Sequence, residues 1–194
     1  NSGMRLSGVQ IFDDEKLYEK LAKEVGFPAL IKPSHSAGSR GIHIVNSVDE
    51  LKEWSEKTIA EYGECALQEY ICSKDYYYNV MLYRTADGNW GNHTITKIMR
   101  YYPIKGGSSS FCVSIENDKL LSVCKEVLEK LGWIGFADFD VLEKEDGDYR
   151  VIEINPRIPA SVRAAAISGV DFGEMIVKDI LGEGLPVYTY TPGM

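Results

Sequence analysis

The sequence predicts an α+β protein with two lobes, each built around an antiparallel sheet. The chain has 194 residues, which is enough for one large domain or for two small lobes with separate apolar cores. Short strand patterns alternate with amphipathic helices in the first part, and hairpin-like pairs of strands follow in the second. We therefore expect a smaller lobe at residues 9–72 and a larger one at residues 73–194.

The smaller lobe is predicted to contain two helices and three strands. The first helix begins at Asp13 or Asp14, and Gly26 ends it because glycine readily adopts the left-handed conformation at a helix end. Ser47 and Glu50 have the spacing of a capping box, which predicts the start of the second helix. The predicted strands are residues 27–32, 42–45 and 66–71.

The larger lobe is predicted to contain four strands and three helices. Its strands are expected at residues 76–84, 92–102, 135–142 and 149–155. Its helices are expected at residues 118–131, 164–167 and 171–181. The segment 105–110 is rich in glycine and serine, and we interpret it as the most flexible part of the chain.

Composition argues against several classes of function. Lys+Arg 21 against Asp+Glu 29 gives a net charge of -8, which argues against nucleic acid as the main partner. No apolar run approaches the length of a membrane span, so we expect no membrane partner. The cysteines lack paired C-x-x-C spacing, which argues against zinc and favours reduced thiols in a cytoplasmic protein.

The run from Val151 to Arg157 is the most informative stretch of the sequence. Its alternation predicts a strand in which Glu153 and Asn155 share one face, and Pro156 ends the pairing because it has no N–H to donate. A carboxylate and an amide oxygen suit a hard divalent cation, and the planar guanidinium of Arg157 suits a phosphate. The run therefore predicts an edge that binds a metal ion together with phosphate.

An acidic hairpin precedes this edge. If Asp146 and Gly147 form a two-residue type I′ turn, the register of the flanking strands is fixed. The predicted cross-strand pairs are Glu145–Asp148, Asp140–Glu153 and Asp138–Asn155. Opposed carboxylates repel each other unless a cation binds there, and a site with few carboxylates leaves room for phosphate and water, which favours Mg²⁺ over Ca²⁺. The alternative is a solvent-facing sheet with scattered acids.

A polar loop at residues 34–41 follows Lys32, which lies at the end of an apolar strand between Ile31 and Pro33. The backbone N–H groups of such a glycine- and serine-rich loop can converge on an anion. The loop has neither a Walker A nor a GxGxxG pattern, and a plain hairpin turn is the alternative interpretation. With Lys32 beside it, the loop is a candidate phosphate site.

Four motifs together resemble the ATP-grasp superfamily, in its order and approximate spacing. They are residues 27–33, the loop to Gly41, the hinge-like Leu67-Gln68-Glu69-Tyr70-Ile71, and Glu153-Ile154-Asn155-Pro156-Arg157. The resemblance is nearest to the carbamoyl-phosphate-synthetase-like members. It implies the ATP-grasp fold, in which two α+β lobes with antiparallel sheets grip the nucleotide between them.

The resemblance also implies roles for individual residues. Lys32 would contact the phosphates and the adenine side, Gln68 would meet the adenine amino group, and Asp75 would hold the ribose, with Tyr77 as the alternative. The remaining nucleotide-binding candidates are Gly38, Ser39 and Gly41 over the phosphates, and Glu69, Tyr70 and Ile71 at the adenine edge. The metal ligands would be Asp140, Glu153 and Asn155, and Arg157 would be catalytic by steadying the transferred phosphoryl group. Independently of the resemblance, Arg100 is a second catalytic candidate, because the basic residues leading into the loop 106–110 could form an electropositive edge for an acyl phosphate. A solvated strand with basic residues on one face is the alternative.

The reaction that the resemblance implies is ligation of a small carboxylate to an amine or another nucleophile through an acyl phosphate. ATP and Mg²⁺, with Mn²⁺ as a substitute, would be the cofactors. Arg163 is a further candidate for binding the acid substrate. Members of the superfamily carry an N-terminal domain that this sequence does not contain, so a longer protein or a partner chain would supply it. A non-catalytic nucleotide-binding module and a kinase that stops at the phosphorylated product are the alternatives.

Overall fold

Residues 4–6, 15–36, 39–102 and 108–194 are described by the computed structural model of this chain. They form nine strands in two sheets, together with five helices. The chain divides into two units, Asn1–Ile71 and Cys72–Met194, each with its own sheet and apolar core. None of the helices in the described part of the chain is long and apolar enough to cross a membrane.

The first unit is a four-stranded antiparallel sheet with two helices. Its elements are β1 (Met4–Leu6), β2 (Ala29–Pro33), β3 (His43–Val45), β4 (Cys65–Glu69), α1 (Glu15–Val25) and α2 (Val48–Tyr62). The strand order is β1-β4-β2-β3, and each neighbouring pair is antiparallel. Ala29 and Ile31 are fully buried in the core that contains residues of both helices. Lys32 lies on the opposite face of β2, because side chains alternate along a strand.

The predicted N-cap of α2 is present, but only one of the two hydrogen bonds of a capping box forms as expected. Ser47 Oγ accepts a hydrogen bond from the backbone N–H of Glu50 at 3.2 Å. The carboxylate of Glu50 accepts from the backbone N–H of Asn46, at 2.8 Å, instead of from that of Ser47. Both interactions satisfy backbone donors at the start of the helix, where no helical carbonyl is available.

We expect Ser47→Ala to lower the free energy of unfolding by about 1 kcal/mol, because it leaves the N–H of Glu50 without its acceptor. Urea denaturation followed by circular dichroism measures the change. Ser122→Ala, on an exposed position of another helix, is the control and should change stability by less than about 0.5 kcal/mol. Equal effects of the two substitutions would contradict the capping role.

The second unit is a five-stranded antiparallel sheet with three helices. Its strands are β5 (Ser73–Arg84), β6 (Trp90–Tyr102), β7 (Ser108–Ser114), β8 (Gly135–Lys144) and β9 (Tyr149–Asn155), and its helices are α3 (Asp118–Lys130), α4 (Val162–Ile167) and α5 (Phe172–Ile180). The strand order is β7-β6-β5-β8-β9. Three of the four neighbouring pairs, β5–β6, β6–β7 and β8–β9, join strands that are consecutive in sequence. The fourth pair, β5–β8, joins strands that are far apart in sequence.

Both faces of this second sheet are partly covered by helices. Val80 and Leu82 belong to the core that includes α3 residues such as Leu120. Met81 and Tyr83, which point the other way from β5, belong to a core that includes residues of α4 and α5. Asn79 shares the face of Met81 but lies outside that apolar core, in a polar part of the same face.

Two strands were not expected from the sequence. β1 pairs with β4 at the edge of the first sheet, and β7 pairs with β6 at the edge of the second. β7 includes Ser108–Ser110, which the sequence pattern had placed in a flexible segment, and these residues pair with β6 as a strand. Serine and glycine predict turns by their local preferences, but pairing with β6 overrides those preferences here. Lys105, Gly106 and Gly107 lie outside the described residues.

The four cysteines are free, which agrees with the expectation of reduced thiols. Cys65 and Cys124 are fully buried in the two cores. Burial raises the pKa of Cys65 to about 11 and that of Cys124 to about 12, so both remain protonated near neutral pH. These two side chains therefore contribute to packing, as small apolar groups do.

Candidate functional site

The acidic hairpin β8–β9 has the predicted pairing at the end that carries the candidate metal ligands, but its turn differs from the predicted one. Asp140 lies opposite Glu153 and Asp138 lies opposite Asn155, as expected. The predicted two-residue turn and the Glu145–Asp148 pair are wrong. The N–H of Lys144 instead donates to the carbonyl of Asp148, which makes a three-residue loop in which Gly147 has a φ of 79°.

The two predicted residue pairs are present because two one-residue shifts of the strand register cancel each other. The longer loop shifts the register near the turn, so that Glu143 lies opposite Tyr149. A bulge between Asp140 and Val141 shifts it back, and Ile152 is the extra residue on β9. Glu153 and Asn155 consequently still lie opposite the two aspartates.

Asn79 joins the two aspartates from the neighbouring strand β5. It is 5% exposed, and it lies directly opposite Asp140 in the β5–β8 pairing. Its Nδ2 donates to Asp138 Oδ1 at 2.5 Å and to Asp140 Oδ1 at 3.2 Å. Its Oδ1 accepts a hydrogen bond from Ser161 Oγ at 3.0 Å. One amide therefore links both carboxylates to the segment that follows the Asn155-Pro156-Arg157 run.

The carboxyl group of Asp138 is strongly perturbed by its surroundings. It is 2% exposed, and burial raises its pKa to about 7, with a further upward contribution from the charge of Asp140. The hydrogen bond from Asn79 and the charge of Arg157 act in the opposite direction, while Glu153 adds to the repulsion. The negative potential here is the kind that a bound cation relieves.

The residues fit a magnesium ion that is shared with a phosphate. In the described ranges, no group of three or more His, Cys, Asp and Glu side chains could hold a metal ion alone. Asp140, Glu153 and Asn155 offer two carboxylates and an amide on one face of the hairpin. Mg²⁺ commonly takes only one or two protein carboxylates and completes its octahedron with phosphate oxygens and water. The oxygen-only donor set agrees with that preference.

The two candidate catalytic arginines lie in different surroundings. Arg157 is exposed just beyond β9, and its charge lowers the pKa of Asp138, which places it within electrostatic reach of the acidic group. Arg100 lies on an exposed and irregular part of β6, with its guanidinium 5.7 Å from the centre of the Phe111 ring. The charge of Arg157 therefore acts on Asp138, whereas the guanidinium of Arg100 faces the Phe111 ring.

The described part of the candidate phosphate loop is held at its base by close packing. Gly41 has a φ of 73°, and a Cβ placed there would lie 2.7 Å from Tyr62 Cε2 and 2.8 Å from Pro33 Cγ. Ser39 also has a positive φ, of 59°. Gly38, the other predicted loop residue, lies outside the described residues. Only glycine fits the position of Gly41 without strain.

The candidate nucleotide residues of the first unit share a sheet surface and the chain segment that leaves it. Lys32 lies opposite Ala66 and Gln68 lies opposite Leu30, so the two polar side chains are diagonal neighbours on the face away from the helices. Glu69 ends β4, and the N–H of Tyr70 continues the pairing by donating to Pro28 at 3.2 Å. The side chains that follow Glu69 differ in burial, since Tyr70 is 37% exposed and Ile71 is 6% exposed.

The two candidates for the ribose position lie on β5. Asp75 is exposed in the irregular start of that strand, where the pairing shifts between Ser73 and Tyr77. Tyr77 is half-buried on the face of Asn79, and burial together with the charges of the two aspartates raises its pKa. Asp75 therefore lies within the irregular part of β5, and Tyr77 lies where regular pairing with β8 resumes.

A cavity of about 380 Å³ lies in the second unit, beside the serine that bonds Asn79. It is lined by Ser109, Ser110, Phe111, Cys112, Ser161, Arg163, Ala164, Ile167 and Met194. Hydroxyl groups and one guanidinium therefore share a cavity with apolar side chains. A small organic anion with an apolar portion matches that lining.

Asn79 was not identified from the sequence as a functional residue. One signal was present, because a single amide interrupts the otherwise apolar and aromatic stretch from Tyr76 to Tyr83 within β5. A buried amide in a central strand requires partners, but the pattern does not say which ones. Those partners lie on β8 and immediately before α4, and only the tertiary structure brings them together.

Comparison with known proteins gives one family and several relatives. A sequence profile described as an ATP-grasp domain matches residues 8–161. The carbamoyl phosphate synthase large chain of Agathobacter rectalis is 25% identical over 202 residues. That match covers 98% of this chain and 18% of the relative, so the chain spans under a fifth of its length.

Solved structures with the same fold include two carboxylating enzymes. The biotin carboxylase of Campylobacter jejuni, in complex with a β,γ-ATP compound, gives a TM-score of 0.75 at 18% identity. The biotin carboxylase domain of the Hydrogenobacter thermophilus 2-oxoglutarate carboxylase, solved with MgADP, ADP and bicarbonate, gives 0.73 at 20% identity. The alignments cover 92% and 90% of this chain, and 43% and 41% of those chains.

Proposed function

We propose, since the chain belongs to the ATP-grasp domain family, that it carries the ATP-binding and metal-binding part of an ATP-dependent carboxylate ligase. The reaction would activate a small carboxylate as an acyl phosphate and then join it to an amine or another nucleophile. The observation that carries the proposal is the pairing of Asp140 with Glu153 and of Asp138 with Asn155, beside Arg157.

Phosphoryl transfer requires the kinds of groups that this arrangement contains. The transfer requires alignment and neutralisation of charge more than it requires covalent participation of the protein. Mg²⁺, or Mn²⁺ in its place, would neutralise phosphate charge when bound by Asp140, Glu153 and Asn155. Arg157 would stabilise charge on the phosphoryl group during transfer, and its fixed positive charge suits that role.

Each unit would contribute its own part of nucleotide recognition. In the first unit we assign Lys32 to the phosphates and Gln68 to the adenine amino group, because both lie on the face away from the helices. Backbone groups of the hinge residues, Glu69, Tyr70 and Ile71, would read the adenine edge. Ser39 and Gly41 would contribute the loop over the phosphates, together with Gly38.

The second unit offers two candidates, Asp75 and Tyr77, for the residue that would bind the ribose hydroxyl groups. Asp75 has the chemistry that suits ribose hydroxyl groups and is exposed. Tyr77 lies on the face of the metal-site aspartates. We retain Asp75 as the proposal, because a carboxylate accepts hydrogen bonds from two vicinal hydroxyl groups and a phenol is a poorer acceptor.

We assign the cavity beside Ser161 to the acid substrate. Arg163 would pair with its carboxylate, and Ser109 and Ser110 would donate hydrogen bonds. Arg100 lies beside the wall of this cavity, because its guanidinium faces the ring of Phe111, and it would add positive potential there. An acid with a short apolar side chain suits the volume of about 380 Å³.

We expect Arg163→Gln to raise the KM for the acid substrate about tenfold or more, because a charge-assisted hydrogen bond contributes about 1.5–3 kcal/mol. The affinity for Mg-ADP should stay within about twofold, since Arg163 is assigned to the acid alone. Initial rates at varied acid concentration measure the first effect, and titration calorimetry measures the second. An unchanged KM with weakened nucleotide binding would contradict the assignment.

The experiment that tests the proposed function has two steps. Titration calorimetry with ATP and Mg²⁺ establishes whether the protein binds the nucleotide and whether binding depends on the metal. An ADP-release assay over a panel of small carboxylates and amino acids then distinguishes a ligase from a binding module. ADP release that depends on both an acid and a nucleophile supports the ligase, and release with the acid alone indicates a kinase. Metal-dependent binding without ADP release indicates a nucleotide-binding module.

The proposed function also implies a partner domain or subunit and a cytoplasmic location. The chain spans less than half the length of the carboxylases it resembles, so another domain or subunit would complete the substrate site. The free thiols favour a cytoplasmic location, where cysteines stay reduced. Co-purification from the source organism tests for such a partner.

A further inference from the structure

The amide of Asn79 makes more directed contacts than its place in a strand requires. Its Nδ2 lies 2.5 Å from Asp138 Oδ1 and 3.2 Å from Asp140 Oδ1, on two residues of β8 that share a face, and at a longer 3.5 Å from the backbone carbonyl of Phe139 between them. Its Oδ1 accepts from Ser161, 82 residues further along the chain. Every hydrogen-bonding position of the side chain therefore points at a group beside the candidate metal site.

The number of donors matches the number of carboxylates. A primary amide has two N–H donors and one carbonyl oxygen, so it can hold two acids at once and still accept a third bond. A hydroxyl group has one donor, and an apolar side chain has none. Among residues of similar size, only asparagine can bridge Asp138 and Asp140 without adding negative charge.

The orientation of the amide follows from its surroundings. With the amide turned over, Oδ1 would face two carboxylate oxygens and the NH₂ group would face Ser161 Oγ. That arrangement sets three acceptors against one another in a buried place, where unpaired polar atoms are costly. The recorded contacts are therefore the stable ones, and Ser161 stabilises them by donating to the amide oxygen.

The hydrogen bond of Ser161 also has a structural consequence. Ser161 precedes α4 at the helix N-cap, yet its side chain makes no capping bond and donates to Asn79 instead. A serine in this position commonly accepts a bond from the helix backbone. Here the hydroxyl connects the segment after Arg157 to the strand that carries Asn79.

We infer that Asn79 is the positioning residue of the metal site, and that Ser161 fixes its orientation. Asn79 holds the carboxylates of Asp138 and Asp140 side by side, so that Asp140 is already placed when a divalent cation binds with the nucleotide phosphate. It touches neither the cation nor the substrate and acts through the two carboxylates. The inference rests on the proposed function, because it takes Asp140 as a metal ligand.

The test compares the affinity of Mn²⁺ for the ADP-bound protein among variants, by calorimetry and by the paramagnetic resonance of free Mn²⁺. Asn79→Leu keeps the branched shape and the number of side-chain heavy atoms, although it is larger, and it has no donors, so we expect it to weaken Mn²⁺ binding about tenfold to a hundredfold. Ser161→Ala leaves the amide in place without its orienting bond, and we expect about a threefold loss. Affinity for ADP without metal should stay within about twofold in both variants.

Thr96→Val is the matched control. Thr96 is also fully buried, on the strand next to Asn79, and its hydroxyl donates to the backbone carbonyl of Asn79 at 3.3 Å. This substitution removes a buried hydrogen bond without touching the aspartates, so Mn²⁺ affinity should stay within about twofold of the wild type. An equal loss of Mn²⁺ affinity in Thr96→Val and Asn79→Leu would overturn the inference, because general loosening would then explain both.

The outcomes separate this inference from the proposed function. If the wild type binds Mn²⁺ with ADP and Asn79→Leu binds it equally well, the positioning role is wrong and the proposed function stands. If the wild type binds no metal with nucleotide, the proposed function fails and the inference fails with it. If Asn79→Leu does not fold, Ser161→Ala decides the result alone, with no loss of Mn²⁺ affinity counting against the inference.

Discussion

Glu153→Gln should lower Mg-ATP turnover by about 10²–10³-fold, the largest functional effect that we expect from one substitution. The change keeps the size and one oxygen of the side chain but removes the charge that would bind the cation. Stability should behave differently. The charge of Glu153 raises the pKa of Asp138, so its removal relieves repulsion in the metal-free protein. The free energy of unfolding should therefore change by only about 0.5 kcal/mol or less, because Glu153 is exposed.

The experiment is decisive because turnover should fall while stability should not fall with it. ADP release at saturating Mg-ATP measures turnover, and urea denaturation without metal measures stability. Glu145→Gln is the control, because Glu145 is an exposed acid in the turn of the same hairpin. Its turnover should match that of the wild type. Full turnover in Glu153→Gln, or a loss of turnover that follows a loss of stability, would refute the metal assignment.

Gly41→Ala should give the largest loss of stability, on the order of 2–5 kcal/mol. Two effects add at this position. A residue with a Cβ is strained at a φ of 73°, and the new carbon would overlap the Tyr62 ring and the Pro33 ring, at 2.7 and 2.8 Å. Relief of the overlap would displace the end of the phosphate loop. We therefore expect weaker Mg-ATP binding as well as weaker folding.

Gly26→Ala separates the two effects. Gly26 has a φ of 79°, and no atom lies within 4 Å of a Cβ placed there, so this control measures backbone strain alone, about 1–2 kcal/mol. Urea denaturation compares the two variants, and calorimetry with Mg-ATP follows the loop. Tyr62→Ala in the Gly41→Ala background should restore part of the stability. A loss in Gly41→Ala no greater than in Gly26→Ala would show that the packing at Gly41 is unimportant.

The hairpin illustrates how far sequence reasoning reached. The pairs Asp140–Glu153 and Asp138–Asn155 follow from the alternation of β8 and β9, and both are present. The two-residue turn from which these pairs were predicted is absent, and a three-residue loop stands in its place. Its extra residue and the bulge at Ile152 offset each other, so the pairing was correct although the path to it was not. The bulge depends on how β9 packs, because Val151 and Ile154 both contact the core on the α3 side.

Local chemistry in the sequence determined the types of groups and most of the strands and helices. Alternation placed the acids of β8 and β9 on one face, because side chains alternate with a period of two whatever the surrounding fold. The Ser47–Glu50 spacing located the start of α2, because a helix cap depends only on neighbouring residues. The four motifs around Lys32, Gly41, Gln68 and Glu153 indicated the family, which the profile match over residues 8–161 confirms.

Only the tertiary structure decided which distant groups meet. Asn79 contacts Asp138 and Asp140, about 60 residues away, and Ser161, 82 residues away, because β5 pairs with β8 and α4 follows β9. The edge strand β7 has no clear local signal, and pairing with β6 forms it. Contacts of this kind depend on strand order and packing. Residue spacing along the chain does not encode them directly, so the sequence predicted the acids of the site and the fold supplied the residue that holds them.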